Sequence, residues 1–347
     1  MKKHMFIKSI AAVVTVIGII TSSTIQVKQV NADTMNQYID RVCQIALNEV
    51  DYIEKKSKKD LDKKEANAGT ANYTKYAQTF DDLRKSGKMF YNFEKNNLVK
   101  KKNEKKAVAC ASWCDIFVDW CFYSAYGYNL AQKLLYQPEK SSGAGCSASA
   151  GYFNKNGKLY TSKTGTPQKG DQVFLNGGGH TGLIVDVVKV KNKYEYTVVE
   201  GNAGDNCDRV VTNTYTGTGS FSSWGRPNYS LVTSYFNYAQ RLYIAVTGAN
   251  CSTAKQKEYA DRLAADKIDT TIVSLGWELI NTNAINRLTN EAYVNKLYYV
   301  FIDDPITENE KKHLLDVIKY KDRKAAYEEV VKSSKCRAKL KKQGLTI

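Results

Sequence analysis

The sequence predicts an α+β fold on three observations. A helix-forming run begins beside Cys114. Two β-rich runs flank a short polar turn at Lys191-Asn192-Lys193, and the composition turns helical after about residue 229. At 347 residues the chain is long enough for two domains. The expected division is a signal segment over 1–32, an α+β domain over 33–228 and a mainly helical accessory domain over 229–347.

The N-terminal segment has the order of a secretory signal peptide. Lys2, Lys3 and Lys8 precede an apolar run from Ile10 to Ile20, and Val30-Asn31-Ala32 makes an A-x-A-like cleavage site. That run is shorter than the roughly 20 residues a spanning helix needs. The expectation is therefore a secreted, extracellular protein with no transmembrane segment, able to associate with a cell wall. The formal charge is +16, and removing the signal takes away Lys2, Lys3, Lys8 and Lys28 and no acid, leaving +12. A basic exported chain suits an anionic partner such as the phosphate polymers of a bacterial wall, and export argues against nucleic acid.

Asn36 to Lys56 reads as an amphipathic helix with Ile39, Val42, Cys43, Ala46, Val50 and Ile53 on one face. Lys58 to Tyr76 is polar and turn-rich, and Lys95 to Lys106 is lysine-rich with one acid, Glu104. Ser112 followed three residues later by Asp115 has the spacing of a capping box, which would put Cys114 in the first helical turn. Unpaired N–H groups and the positive end of the helix dipole there favour a thiolate. Trp113, Phe117, Trp120, Cys121 and Ser124 would form the buried arc, Asp115, Asp119 and Phe122 the other side, with Gly127 as C-cap.

A thiolate nucleophile needs a base, and the chain has three histidines, His4, His180 and His313. His180 opens the first run of the hairpin, His180 to Val190; the second runs from Tyr194 to Gly201. A turn centred near Lys191 sets Gly182 opposite Glu200 and His180 opposite Asn202, so alternation by two puts His180, Glu200 and Asn202 on one face. Before the hairpin, Ser141 to Ala150 reads as a small-residue loop, and Pro167-Gln-Lys-Gly-Asp171 is a turn opening a strand over Gln172 to Leu175. If Cys114 is the nucleophile and Cys121 stays reduced, Cys43, Cys110, Cys146, Cys207, Cys251 and Cys336 are available for disulfides. With no C-x-x-C pair, no zinc site is expected, and no cofactor is implied.

From about residue 229 an internal repeat of period 55 runs through the chain. Tyr238-Ala-Gln-Arg-Leu-Tyr243 matches Tyr293-Val-Asn-Lys-Leu-Tyr298, and each continues into a charged helix, Ala254 to Ala265 and Thr307 to Lys319. His313 lies among lysines on the second of these and is expected to be exposed.

A cysteine at a helix start, a histidine opening a strand and Glu200 or Asn202 on its neighbour are the parts of a papain-type amide hydrolysis. In the same residues the chain resembles the CHAP domain family, the cysteine and histidine dependent amidohydrolases/peptidases of the papain-like superfamily. Trp113 to Cys121 resembles the nucleophile motif, Pro167 to Asp171 its P-x-x-G-D turn, His180 to Val185 its histidine strand and Glu200-Gly-Asn202 its third-member motif; Asp62 to Tyr76 resembles the N-terminal part. The likeness covers about residues 36 to 228.

It implies N-terminal helices on an antiparallel sheet, with Cys114 as nucleophile, His180 as base and Glu200 with Asn202 as orienting pair. It further implies cleavage of peptidoglycan, as an N-acetylmuramoyl-L-alanine amidase or a peptide endopeptidase. Asp115 stands where the family has a small residue, and its charge would oppose the thiolate; Gly177 to Gly179 would loosen the loop holding His180. The alternatives are a catalytically silent wall-binding or adhesion protein and a secreted cysteine peptidase acting on proteins.

Overall fold

A computed structural model describes residues 32–88, 90–91, 112–138, 140, 144–265 and 268–345. The signal segment before Ala32, the lysine-rich stretch, Cys110 and His4 lie outside the described residues. The fold is α+β: helices at both ends of the chain and one antiparallel sheet of six strands. Among the described residues no helix is long and apolar enough to cross a membrane.

The first half carries α1 (Ala32–Asn48), α2 (Lys75–Lys85), α3 (Cys114–Tyr126), α4 (Tyr128–Leu134) and α5 (Cys146–Lys155). The sheet follows as β1 (Leu159–Tyr160), β2 (Gln172–Leu175), β3 (His180–Val190), β4 (Lys193–Ala203), β5 (Arg209–Thr216) and β6 (Phe221–Gly225), in the order β1-β6-β2-β3-β4-β5. The expected helix over Asn36 to Lys56 stops at Asn48; Ile53 and Lys55 instead make isolated bridges to Arg209 and to Ala68 and Tyr73. The expected loop over Ser141 to Ala150 turns helical from Cys146.

The β3–β4 hairpin turns at Lys191, whose φ is 55°. Its register pairs Leu183 with Val199 and Ile184 with Val198, and a bulge between Ile184 and Asp186 shifts the pairing by one residue toward the turn. On the half that carries His180 this is the register a Lys191-centred turn gives. One large hydrophobic cluster joins α1, α3 and the inward side chains Phe174, Leu183, Val185 and Val199. A smaller one, including Val173, Ile184, Tyr196, Val198 and Trp224, covers the other face, as alternation requires.

The large cluster continues into the C-terminal helices. These are α6 (Tyr229–Thr247), α7 (Thr253–Leu263), α8 (Ile268–Ile280), α9 (Asn283–Asn286), α10 (Asn290–Leu297), a π-turn (Tyr298–Ile302), α11 (Glu308–Tyr320), α12 (Arg323–Lys332) and α13 (Ser334–Lys342). The N-caps of α7 and α11, Ser252 and Thr307, stand one repeat period apart, and Thr307 with Glu310 makes a full capping box. Val232, Tyr235, Phe236 and Leu242 of α6 are buried in the same cluster as Val42 of α1 and Leu130 of α4. Polar contacts cross as well. Asp261 of α7 accepts from the Asn129 and Leu130 backbone N–H groups at 2.6 and 3.0 Å, capping α4, and Lys257 donates to the Ser124 carbonyl at 2.7 Å near the end of α3.

Candidate active site

The site is built on the start of α3. The N-cap is Trp113, with no side-chain cap, so the expected capping box of Ser112 and Asp115 does not form; Cys114 is the first helical residue. What fixes this helix start is tertiary. The Trp113 Nε1–H donates to Glu54 Oε2 at 2.9 Å, and its buried ring packs edge-on or tilted against Tyr52 and Tyr76. Glu54 Oε1 accepts from the Asn72 N–H at 3.1 Å, so the turn-rich segment before α2 ties itself to the start of α3. The expected polar side of α3 is buried too: Asp115, Asp119 and Phe122 have no exposed surface, whereas Trp120 and Ser124 of the expected buried arc are only partly covered. The run is apolar nearly all round because the sheet, α2 and the C-terminal helices all pack on it.

His180 is delivered by the turn between β2 and β3, where Leu175 pairs with His180. Gly177 and Gly178 take φ of 68° and 90°, and the Gly179 N–H donates to the Asn176 carbonyl at 3.2 Å, so the glycine run closes a hydrogen-bonded turn. The strand before it opens from the Pro167–Asp171 turn. Asp171 accepts from the Gln168 N–H at 2.8 Å and pairs with Arg226 at 2.9 Å. Gly170 there has φ 87°, and a Cβ would lie 2.7 Å from the Tyr229 hydroxyl, so only glycine fits.

Glu200 lies across from the start of β3, and its Oε2 meets His180 Nε2 at 2.9 Å. Its other oxygen accepts from Asn213 Nδ2 at 3.0 Å and the Tyr215 hydroxyl at 2.8 Å, both on β5. Between Glu200 and Asn202 the chain must pass under α3. A Cβ at Gly201 would stand 2.6 Å from Phe117 Cβ, so glycine is required by close approach. Asn202 follows at φ 55° inside the bulge between Glu200 and Ala203; its Oδ1 is buried without a hydrogen-bond partner. The structure thus links Cys114, His180 and Glu200, whereas Asn202 sits in the bulge two residues beyond Glu200 with its Oδ1 unpartnered.

With Nε2 engaged by Glu200, Nδ1 is the ring nitrogen left for the thiol. Burial alone would lower the His180 pKa, but hydrogen bonds to Cys114 and Glu200 and their negative charges raise it from 6.5 to about 10. Cys114 moves the other way, well below the usual thiol value. The hydrogen bond from the Cys146 thiol is the largest cause; His180 and the Asp115 backbone N–H add to it against the opposing effect of burial. Glu200 is held below its ordinary value because its hydrogen bonds to His180, Asn213 and Tyr215 outweigh its burial. The resting state favoured is thiolate, imidazolium and carboxylate in a row.

Asp115 does not oppose that thiolate with a full charge. Its carboxyl is fully buried and accepts from Ser149 Oγ and Gln172 Nε2, each at 2.8 Å. Burial, then the charges of Asp119 and Cys114, push it well above the usual carboxylate range toward the neutral form. Asp119, bonded to Tyr91 and Gln137, is raised by burial to about 7.

Cys43, Cys146, Cys207 and Cys251, which were available for disulfides, form none, and Cys114 and Cys121 are likewise unbridged. Instead Cys146, at the first position of α5, lies with its Sγ 3.7 Å from that of Cys114. Sequence reading missed Cys146, Asn213 and Tyr215. Alternation places Asn213 and Tyr215 on one face of β5, a signal readable only once that strand is recognised; Cys146 had none. His313 is 64% exposed and pairs with Glu329 at 2.8 Å, remote from this chemistry in character. Among the described residues no group of three or more His, Cys, Asp or Glu could hold a metal ion. The models of known families, the characterised proteins and the solved structures give no match to this chain.

Proposed function

We propose that this protein is a secreted cysteine amidohydrolase of papain-like, CHAP-type construction that cleaves an amide bond of peptidoglycan. The observation that carries the chemistry is His180 held at 2.9 Å by a buried Glu200, with its charge helping to lower the pKa of the Cys114 thiol. The choice of peptidoglycan rests on the four motifs of the resemblance, the signal-like N-terminus and the formal charge of +12 left without that segment, which suits a wall carrying anionic polymers.

The Cys114 thiolate attacks the amide carbonyl carbon. The first N–H groups of α3 have no intrahelical partner, since the earliest helical bond runs from Phe117 N–H to the Trp113 carbonyl, and such groups at a helix start can serve as oxyanion donors. The His180 imidazolium gives its proton to the leaving amine, and Glu200 keeps the ring in orientation. Neutral His180 then takes a proton from water, which hydrolyses the thioester and restores the thiolate. Digestion of purified walls followed by mass spectrometry tests the reading: a new muramic acid end means amidase, and a new peptide amine means endopeptidase. Walls left intact by the native protein, with casein cleaved instead, would move the assignment to a general peptidase.

A further inference from the structure

The hydrolytic cycle uses one of the two sulfurs at the site. Cys114 opens α3 and Cys146 opens α5, so two helix N-termini converge on sulfurs 3.7 Å apart, in residues only 8% and 7% exposed. We propose that Cys146 is a resolving cysteine for Cys114, and that the pair closes into a reversible disulfide when a small-molecule disulfide reaches the site, taking the nucleophile out of use. The proposal rests on Cys114 being a reactive thiolate.

A disulfide bond is about 2.05 Å long, so the sulfurs need to approach by roughly 1.7 Å, within the reach of side-chain rotation and a small helix shift. Cys121, the other cysteine of α3 among the described residues, is no competitor. It lies two turns further on, roughly 10 Å along the axis, and is fully buried.

The chemistry closes with a disulfide such as oxidised glutathione as the oxidant. The Cys114 thiolate attacks one glutathione sulfur, the S–S bond breaks, and the departing glutathione thiolate takes the proton of the His180 imidazolium. While Cys114 is a thiolate, Cys146 donates a hydrogen bond to it, and that bond is the largest cause holding the Cys146 thiol far above its ordinary value. Capping Cys114 removes that cause and leaves burial and Asp115 opposing ionisation, against the N-terminus of α5. Cys146 then attacks Cys114 Sγ, and its proton leaves with the second glutathione thiolate. Two protein thiols are oxidised, one glutathione disulfide is reduced to two thiols, and His180 ends neutral.

The test uses the full chain, incubated with oxidised glutathione at neutral pH, alkylated and digested with trypsin, which can cut at Lys133 and Lys140 between the two cysteines. The expected main product is a Cys114–Cys146 linked peptide, assigned by fragment ions. Alkylation of Cys114 by iodoacetamide should be lost with it and return on adding dithiothreitol. In Cys146→Ser the reaction should stop at glutathionylated Cys114. A native protein that stops at glutathionylated Cys114 with Cys146 still alkylated, or that links Cys114 to another cysteine, overturns the pairing and leaves the nucleophile intact. A Cys114 inert to both reagents overturns the pairing and the nucleophile reading together.

Discussion

The two His–Glu pairs among the described residues are almost the same length and sit in opposite settings. At the sheet end His180 meets Glu200 at 2.9 Å, with side chains 16% and 4% exposed; on the C-terminal helices His313 meets Glu329 at 2.8 Å, with 64% and 40% exposed. Distance therefore does not distinguish them. At the sheet end the carboxylate is fixed from behind by Asn213 and Tyr215, the ring neighbours a Cys114 whose thiol pKa is lowered, and little water reaches either side chain. At the surface pair solvent reaches both side chains, and exposed pairs of this kind contribute about 0–1 kcal/mol. What makes a histidine chemical is the company on its second nitrogen and the dryness around both.

The largest contrast to expect is at Cys114, the proposed nucleophile. Cys114→Ser should lower wall hydrolysis by roughly 10⁴-fold or more with a melting curve close to the parent's, whereas His313→Gln should leave the rate unchanged. An active Cys114→Ser protein, or an inactive His313→Gln one, would reverse the roles of the two regions.

The second contrast concerns the C-terminal helices as neighbours. Because α6 and α7 share the core with α1 and α4 and cap α4 through Asp261, a chain ending at residue 228 should lose cooperative unfolding as followed by circular dichroism. Buried large residues that lose their partners cost about 2–5 kcal/mol each, and several would do so. A truncated protein that folds and cuts a soluble muropeptide would show instead that these helices act as a tethered accessory unit.

Matched carboxamides sharpen the difference between the pairs. Glu200→Gln should cost roughly 10²-fold in rate, the scale of acid–base catalysis. It also removes a charge and a hydrogen bond that raise the His180 pKa, so the alkaline limb of activity should move below the native value of about 10. Glu329→Gln should change neither. The sign follows from the protons: hydrolysis fails at low pH as the Cys114 thiolate is protonated, and at high pH as His180 loses the proton the leaving amine needs. Equal pH profiles for native and Glu200→Gln protein would mean that Glu200 does not set the His180 pKa.

Smaller effects are expected one residue further out. Tyr215→Phe and Asn213→Ala each remove one hydrogen bond to the Glu200 carboxylate, about 1.5–3 kcal/mol if fully felt, and should cost less in rate than Glu200→Gln without bringing the alkaline limb down, since Glu200 keeps its charge. Asn202→Ala should cost least in rate, since Asn202 sits in the bulge with its Oδ1 unpartnered. A larger loss for Asn202→Ala than for Glu200→Gln would make Asn202 the principal orienting residue.

Periodicity made the hairpin legible. A strand that starts at His180, a turn residue at Lys191 and alternation by two were enough to set Glu200 near His180. The bulge that displaces Asn202 was not legible, because it answers to Phe117 on a helix remote in sequence rather than to local pattern. The start of α3 was misread for a related reason: Ser112 has the right spacing for a cap, but Trp113, pinned by Glu54, decides where the helix begins. Asp115 and Asp119 read as a polar face, whereas buried hydrogen bonds from Ser149, Gln172, Tyr91 and Gln137 carry them inside. The approach of Cys146 to Cys114 depends on packing between α3 and α5, which no spacing in the chain encodes.

The most direct measurement is the rate of Cys114 alkylation by iodoacetamide as a function of pH, with the modified residue located by mass spectrometry. An ion pair of Cys114 with a Glu200-held His180 should make Cys114 reactive well below pH 9, the ordinary thiol value, with a second rise in reactivity near pH 10 as His180 loses its proton. Glu200→Gln should bring that second rise to lower pH. A single titration of Cys114 near pH 9, unchanged in Glu200→Gln, would contradict the ion pair.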